Sequence, residues 1–188
     1  MPPRQATQAE AVAAVLALAR ARPGLTTFVG LDGPGGAGKS TLAWRIASAL
    51  PGAAVVAVDD FSGPQVTEWD WLRFREQLLL PLLAGRAGHY QRWDWDRDQG
   101  GDWLGVTPGG VVVVEGVSST RAEAAVPWEL TIWVETPRGV RQSRAIDRDG
   151  LAMHAQWTDV WIPSEEAYFA AQLPRERADL IVVGVDKP

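Results

Sequence analysis

Residues 33 to 40 read GPGGAGKS and lie between an apolar, β-prone stretch, TTFVGLD (26–32), and a run of helix formers, STLAWRIASAL (40–50). A strand, a glycine-rich turn and a helix in that order constrain the fold more than any other feature of the chain. The spacing is G-x-x-x-x-G-K-[ST], that of a phosphate-binding loop. Gly33, Gly35, Gly36 and Gly38 carry no Cβ, so the backbone can adopt positive φ and approach an anion closely. Successive N–H groups then form a nest for phosphate oxygens, helped by the partial positive charge of the helix N-terminus. Lys39 has the reach to meet outer phosphates, and the Ser40 hydroxyl suits Mg²⁺. The expected phosphate-contacting set is Gly33, Gly35, Gly36, Ala37, Gly38, Lys39, Ser40 and Thr41, with a nucleoside triphosphate and Mg²⁺ as the implied ligands.

At 188 residues the chain is long enough for one domain with a substantial core. Its apolar fraction of 46% and charged fraction of 22% are those of a soluble globular protein. A net charge of −5 argues against a nucleic-acid face, which needs clustered Lys and Arg. With no cysteine, disulfides and thiolate metal sites are excluded, in keeping with a reducing, cytoplasmic setting. No apolar run reaches the roughly 18 residues of a membrane span, so no membrane partner is expected. AVAAVLALA (11–19) follows only one basic residue and reads as an amphipathic helix covering the sheet rather than as a leader.

Strand and helix patterns alternate, which predicts a parallel α/β sheet. Helices are expected over 7–22, 39–50, from about 68 to 84 with a kink at Pro81, 120–125, 137–148 and 163–173. Strands are expected at 26–31, 53–58, 111–115, 130–135 and 178–184, five in all. VVVVE (111–115) has the unbroken β-branched character of a strand buried on both faces. The segment 89–110, rich in Asp, Gly and Trp, reads as irregular. A short lid is expected around 148–163, and nothing divides 1–188 into two domains.

In an open parallel sheet, ligands bind beyond the carboxyl ends of the strands. That rule brings Asp59, Asp60, Glu115 and Glu135 toward the glycine loop. Acidic groups gathered at an anion site make sense with Mg²⁺ and a proton-donating hydroxyl between them. Glu115 then holds the metal together with Ser40. Asp59 reads as a general base for a substrate hydroxyl, with metal contact as a second role, and Asp60 as a substrate contact. Arg141, Arg144 and Arg148 share one helical face and can neutralise a moving phosphoryl group; the alternative is a solvated basic face. His89 and His154 form no metal-ligand spacing. Four of the ten tryptophans stand in two clusters, Trp69-Asp70-Trp71 and Trp93-Asp94-Trp95. They can stack on a planar ligand or close the core.

Taken together, GLDGPGGAGKST, VVAVDDF, VVVVEGV, RQSRAIDRDG and ADLIVVG, in that order, resemble the uridine kinase and phosphoribulokinase branch of the P-loop kinases. The resemblance covers most of the chain. It implies a P-loop NTPase fold, three layers α/β/α around a mostly five-stranded parallel sheet. It also implies ATP- and Mg²⁺-dependent phosphotransfer to a hydroxyl of a small molecule, with a nucleoside such as uridine or cytidine as acceptor. The catalytic set is then Asp59, Lys39, Arg141, Arg144 and Arg148. The metal set is Ser40, Asp59 and Glu115. Asp70 matches an aspartate that contacts ribose, and Asp60, Tyr90, Trp93, Asp94 and Trp95 fall in the acceptor region. The chain departs from the family in a short lid and an abbreviated substrate hairpin around 88–110. A sugar, a pantothenate-like or glycerate-like compound, or a nucleoside monophosphate is therefore an alternative acceptor. A nucleotide switch is disfavoured by the lack of an N-K-x-D motif. A homo-oligomer is compatible with the sequence.

Overall fold

The computed structural model describes residues 2–63, 69–149 and 156–184. Six strands form one parallel sheet in the order β1-β8-β7-β2-β6-β3. They are β1 (Arg4–Ala6), β2 (Thr27–Asp32), β3 (Ala54–Ala57), β6 (Val111–Glu115), β7 (Trp128–Glu135) and β8 (Leu180–Val183). β4 (Gly88–Asp94) and β5 (Gln99–Val106) form a separate antiparallel pair. Five of the six sheet strands are those expected. The sixth, β1, corrects the five-stranded expectation. Its three residues carry no readable period, and its place is set by backbone pairing of Arg4 with Leu180 and of Ala6 with Val182.

Alternate residues of the sheet feed two cores. Val29, Leu31, Val111, Val113, Ile132 and Val134 face α1 (Gln8–Ala21) and α2 (Lys39–Ala49), where Val15, Leu42 and Ile46 meet them. Phe28, Val112 and Val114 face the other way, toward Phe61, Phe74, Leu78 and Tyr90. This two-sided burial explains the unbroken valine run of β6. The helix expected to start near Glu68 is described from Trp71. It consists of α3 (Trp71–Phe74), a π-helical turn Arg75–Leu79 and α4 (Leu80–Leu83). Leu80 N–H returns to the Arg75 carbonyl, five residues back. Pro81 has no N–H to offer, and the wider turn just before it does the work expected of a kink.

α1 starts on a capping box. Thr7 Oγ1 accepts from Glu10 N–H (3.2 Å), and the Glu10 carboxylate accepts from Thr7 N–H (2.7 Å). At the other end of the chain, α5 (Arg138–Asp149) precedes a π-helical turn, Trp157–Trp161, that runs into α6 (Ile162–Gln172) and then α7 (Pro174–Arg177). Phe169 of α6 packs on Trp133 of β7, ring centroids 5.1 Å apart, and this places α6 on the same sheet face as α3. Helices thus cover both faces, giving the three layers expected.

Two local expectations change. Segment 89–110 is a hairpin, not an irregular loop: Tyr90 pairs with Leu104 and Gln91 with Trp103. Its strands hide from pattern reading because β5 opens on Gln-Gly-Gly-Asp, a poor β-former, and only Tyr90 and the strand ends are buried. Residues 120–125 form only a short 3₁₀ turn, Ala122–Ala124. Of the expected lid, 148–163, residues 150–155 lie outside the described part, as do the Arg148 side chain and His154, and 156–163 are helical.

Candidate active site

β2 ends on Asp32, and the glycine loop follows at the carboxyl edge of the sheet. Gly36 (φ 73°) and Gly38 (φ 100°) take the left-handed backbone the loop requires. A Cβ on Gly36 would lie 2.9 Å from the Arg141 carbonyl, so the close approach of α5 also depends on that glycine. Lys39, nearly buried, lays its ammonium back over the loop, donating to the carbonyls of Gly33 (2.8 Å) and Pro34 (2.9 Å). Ser40 and Thr41 are exposed in the first turn of α2. Ala37 is fully buried, and its carbonyl accepts from Thr136 Oγ1 at 3.0 Å.

Glu115 ends β6, in register with Leu31 of β2 and Ala57 of β3. Its carboxylate accepts from Ser40 Oγ at 3.0 Å. Burial pushes the Glu115 carboxyl up, Lys39 and the Ser40 hydrogen bond pull it down, and Asp59 and Asp60 push it further up. All five groups therefore share one electrostatic neighbourhood. Asp59 and Asp60 stand on a 3₁₀ turn, Val58–Phe61, directly after β3. Asp59 is exposed; Asp60 is half-buried, raised chiefly by burial, and accepts from Tyr90 O–H at 3.2 Å. Burial and Asp60 push the Tyr90 phenol above its usual range, so it stays a donor.

From the facing helix, Arg141 donates to the carbonyls of Gly35 and Thr136, both at 3.2 Å, and Arg144 to Gly36 at 3.1 Å. Burial lowers the Arg141 guanidinium from its ordinary value while Glu165 supports its charge. Two of the expected arginines thus lie over the loop. Arg138 turns outward to Glu166 (3.4 Å).

The acceptor-side residues are less uniform. Tyr90 stacks on Phe61 at 4.7 Å, and the Arg73 guanidinium lies over the Phe61 ring, 4.9 Å from its centroid. Trp93 packs by Gly63, and its indole N–H is buried without a hydrogen-bond partner among the described residues. Trp95 is 56% exposed beyond the end of β4. Asp70 caps α3, accepting from Arg73 N–H at 2.8 Å. Asp94 closes the hairpin turn, accepting from the N–H groups of Asp96 (3.1 Å) and Arg97 (3.0 Å). His89 is exposed on β4.

Three residues that the sequence reading did not select complete the site. Asp32, 2% exposed, accepts from Gly33 N–H (2.7 Å), Ser118 N–H (3.0 Å), Thr120 N–H (3.0 Å), Thr120 Oγ1 (2.7 Å) and the Tyr168 phenol (2.7 Å). It ties the loop to the segment after β6 and to α6. Glu165 of α6 accepts from Gly35 N–H at 2.9 Å. An acidic residue closing an apolar strand was the available signal for Asp32. For Glu165 and Tyr168 it was their three-residue spacing on one helical face.

These residues fit a nucleotide with its metal. The loop glycines leave a cradle that side chains would fill, and Ser40 with Glu115 offers two oxygen donors of the kind Mg²⁺ takes. Among the described residues no group of three or more His, Cys, Asp or Glu is arranged to hold a metal ion, so further ligands would come from phosphate oxygens and water.

No family model matches the chain. It is 25% identical over 198 residues to uridine-cytidine kinase C of Dictyostelium discoideum, covering 95% of this chain and 43% of that protein. The chain therefore spans less than half the length of that relative. Among solved structures, a possible uridine kinase from Bacillus stearothermophilus superposes with a TM-score of 0.70 at 19% identity, over 93% of this chain and 96% of that one. A "putative fructose transport system kinase" from Silicibacter sp. TM1040 also gives 0.70, at 26% identity over 94% and 98%. The fold is that of these proteins, and the likeness read from the motifs is borne out by their sequences and folds.

Proposed function

We propose that this chain is an ATP- and Mg²⁺-dependent kinase that phosphorylates a hydroxyl of a small molecule, with a nucleoside such as uridine or cytidine as the acceptor. The observation that carries the reading is the Ser40–Glu115 hydrogen bond beside Lys39, with Asp59 on the next strand end and Arg141 and Arg144 across the loop. The motif alone speaks only for phosphate binding. The carboxylates at the ends of β3 and β6 add the elements of transfer.

In this reading the loop N–H groups and Lys39 hold the outer phosphates, Lys39 leaving the loop carbonyls for phosphate oxygens. Ser40 and Glu115 hold Mg²⁺, which when bound neutralises charge on those oxygens. Asp59, exposed and therefore able to meet a substrate, orients the acceptor hydroxyl and takes its proton. Arg141 and Arg144 stabilise charge on the transferred group. The contribution of the protein is positioning and electrostatics. A cytoplasmic location, where ATP is abundant, goes with this reading, as does a single domain. No helix among the described residues is long and apolar enough to cross a membrane.

A sugar-type acceptor is the second reading. It is favoured by the likeness to the fructose transport system kinase and by Asp70, whose carboxylate is engaged in capping α3. The test is ATP consumption against nucleosides, nucleotides, sugars and vitamins, with product masses read directly. Gain of one phosphoryl group on a pyrimidine nucleoside is the expected result. Transfer to a sugar alone would replace the acceptor, and transfer to none of the panel would overturn the kinase reading.

A further inference from the structure

Several of the groups that would bind phosphate are engaged within the protein, and one partner stands apart. Lys39 and the arginines rest on backbone carbonyls, neutral groups that a phosphate displaces readily. The Gly35 N–H instead donates to a carboxylate, Glu165 Oε1, at 2.9 Å. The second oxygen of that carboxylate lies 3.8 Å from Arg141. Glu165 is 7% exposed, and the half-buried Trp157 ring lies against the same glycine: a Cβ on Gly35 would be 2.6 Å from the ring and 2.7 Å from Glu165 Oε1. An anionic oxygen therefore already stands where the third residue of the loop presents its N–H.

We propose that Glu165 sets the nucleotide affinity of the loop, its carboxylate competing with a ligand phosphate for the Gly35 N–H and for Arg141. The proposal rests on the kinase reading above. The Gly35 N–H is a single donor already taken by a carboxylate oxygen, so a phosphate that bonds to it must displace the Glu165 side chain from it. Displacement also releases the Glu165 contact of the first turn of α6, while the Tyr168–Asp32 hydrogen bond one turn further on (2.7 Å) still ties α6 to the end of β2. Tyr168 keeps α6 docked while Glu165 yields. Burial is the largest influence on Glu165 and raises its carboxyl, which Gly35, Lys39 and Arg141 oppose. Its charge is thus held by the contacts a phosphate would take.

Calorimetric titration of ATP with Mg²⁺ into the intact protein and its variants tests this. Glu165→Gln keeps a neutral acceptor for Gly35 and removes the charge. Glu165→Asp keeps the charge but shortens its reach. Both are expected to bind ATP about tenfold or more tightly than the parent. Equal or weaker ATP binding in both variants would overturn the proposal and make Glu165 a positioning residue for the loop. Lys39→Ala separates the two readings. If the parent binds ATP, Lys39→Ala weakens it and the Glu165 variants do not tighten it, only the competition falls. If no protein in the set binds ATP, the kinase reading falls with it.

Discussion

On the loop side of the site, backbone atoms set the positions of the charged groups. On the hairpin side, packing sets the positions of the aromatic rings. Lys39, Arg141 and Arg144 are each fixed by loop carbonyls, and Asp32 gathers five donors from three segments in the buried floor. Across the sheet edge, Tyr90 and Trp93 are placed by packing on Phe61 and Gly63, and Trp95 projects into solvent. The first arrangement can recognise only what every nucleoside triphosphate shares. The second can vary by single substitutions without disturbing the sheet. On the proposed kinase reading, that difference makes the phosphoryl-donor half fixed and the acceptor half adaptable.

The largest expected effect breaks the loop side. Lys39→Ala should lower kcat/KM about 10³-fold for every acceptor alike, because it removes a charge from the shared half of the reaction. Fold and far-ultraviolet dichroism should remain, since the hydrogen bonds of Lys39 go to two carbonyls of the loop itself and not to the sheet or helices. Steady-state kinetics with two acceptors measures this. A loss confined to one acceptor would move Lys39 to the other side of the comparison.

Asp59→Asn should cut deepest at the boundary between the halves. The expected loss in kcat is about 10²-fold, within the range of general-base effects, with ATP affinity unchanged. Asp59 is exposed and, unlike Asp60, is not tied to Tyr90, so the fold does not depend on its carboxylate. Normal kcat in this variant would hand the role of base to Asp60. Weakened ATP binding would instead mark Asp59 as a metal contact.

The same division decides what could be read from the residues alone. The glycine loop, the valine strand and the limits of α1, α2, α5 and α6 were legible because they rest on backbone conformation and local period, which the residue pattern reports directly. The start of α1 next to Thr7 is of this kind. β1 was not legible, because three residues have no period. Nor was the hairpin, because its glycine-rich second strand lacks β-branched residues and its register is set by the partner strand. Asp32 and Glu165 act through partners 86 to 136 residues away, a separation that no local pattern encodes. Asp70 and Asp94 stand in the region expected to meet the acceptor, yet their carboxylates hold a helix start and a turn. A short acidic side chain in a cluster with tryptophan suits either task equally well on paper.

The smallest expected effect sharpens the hairpin side. Trp95 is 56% exposed, whereas Tyr90 is buried in the aromatic group with Phe61. Removing Trp95 therefore leaves no cavity, and the thermal midpoint of Trp95→Ala should match that of the parent. If the ring stacks on a planar acceptor, its loss removes an interaction of about 0.5–1.5 kcal/mol. KM for the acceptor should then rise a few-fold, to about tenfold at most, with KM for ATP unchanged. A rise with a nucleoside but not with a sugar would assign the face to a base. No rise with either would leave acceptor binding to the inner residues, Tyr90 and Trp93, where the Trp93 indole N–H has no partner among the described residues and can donate.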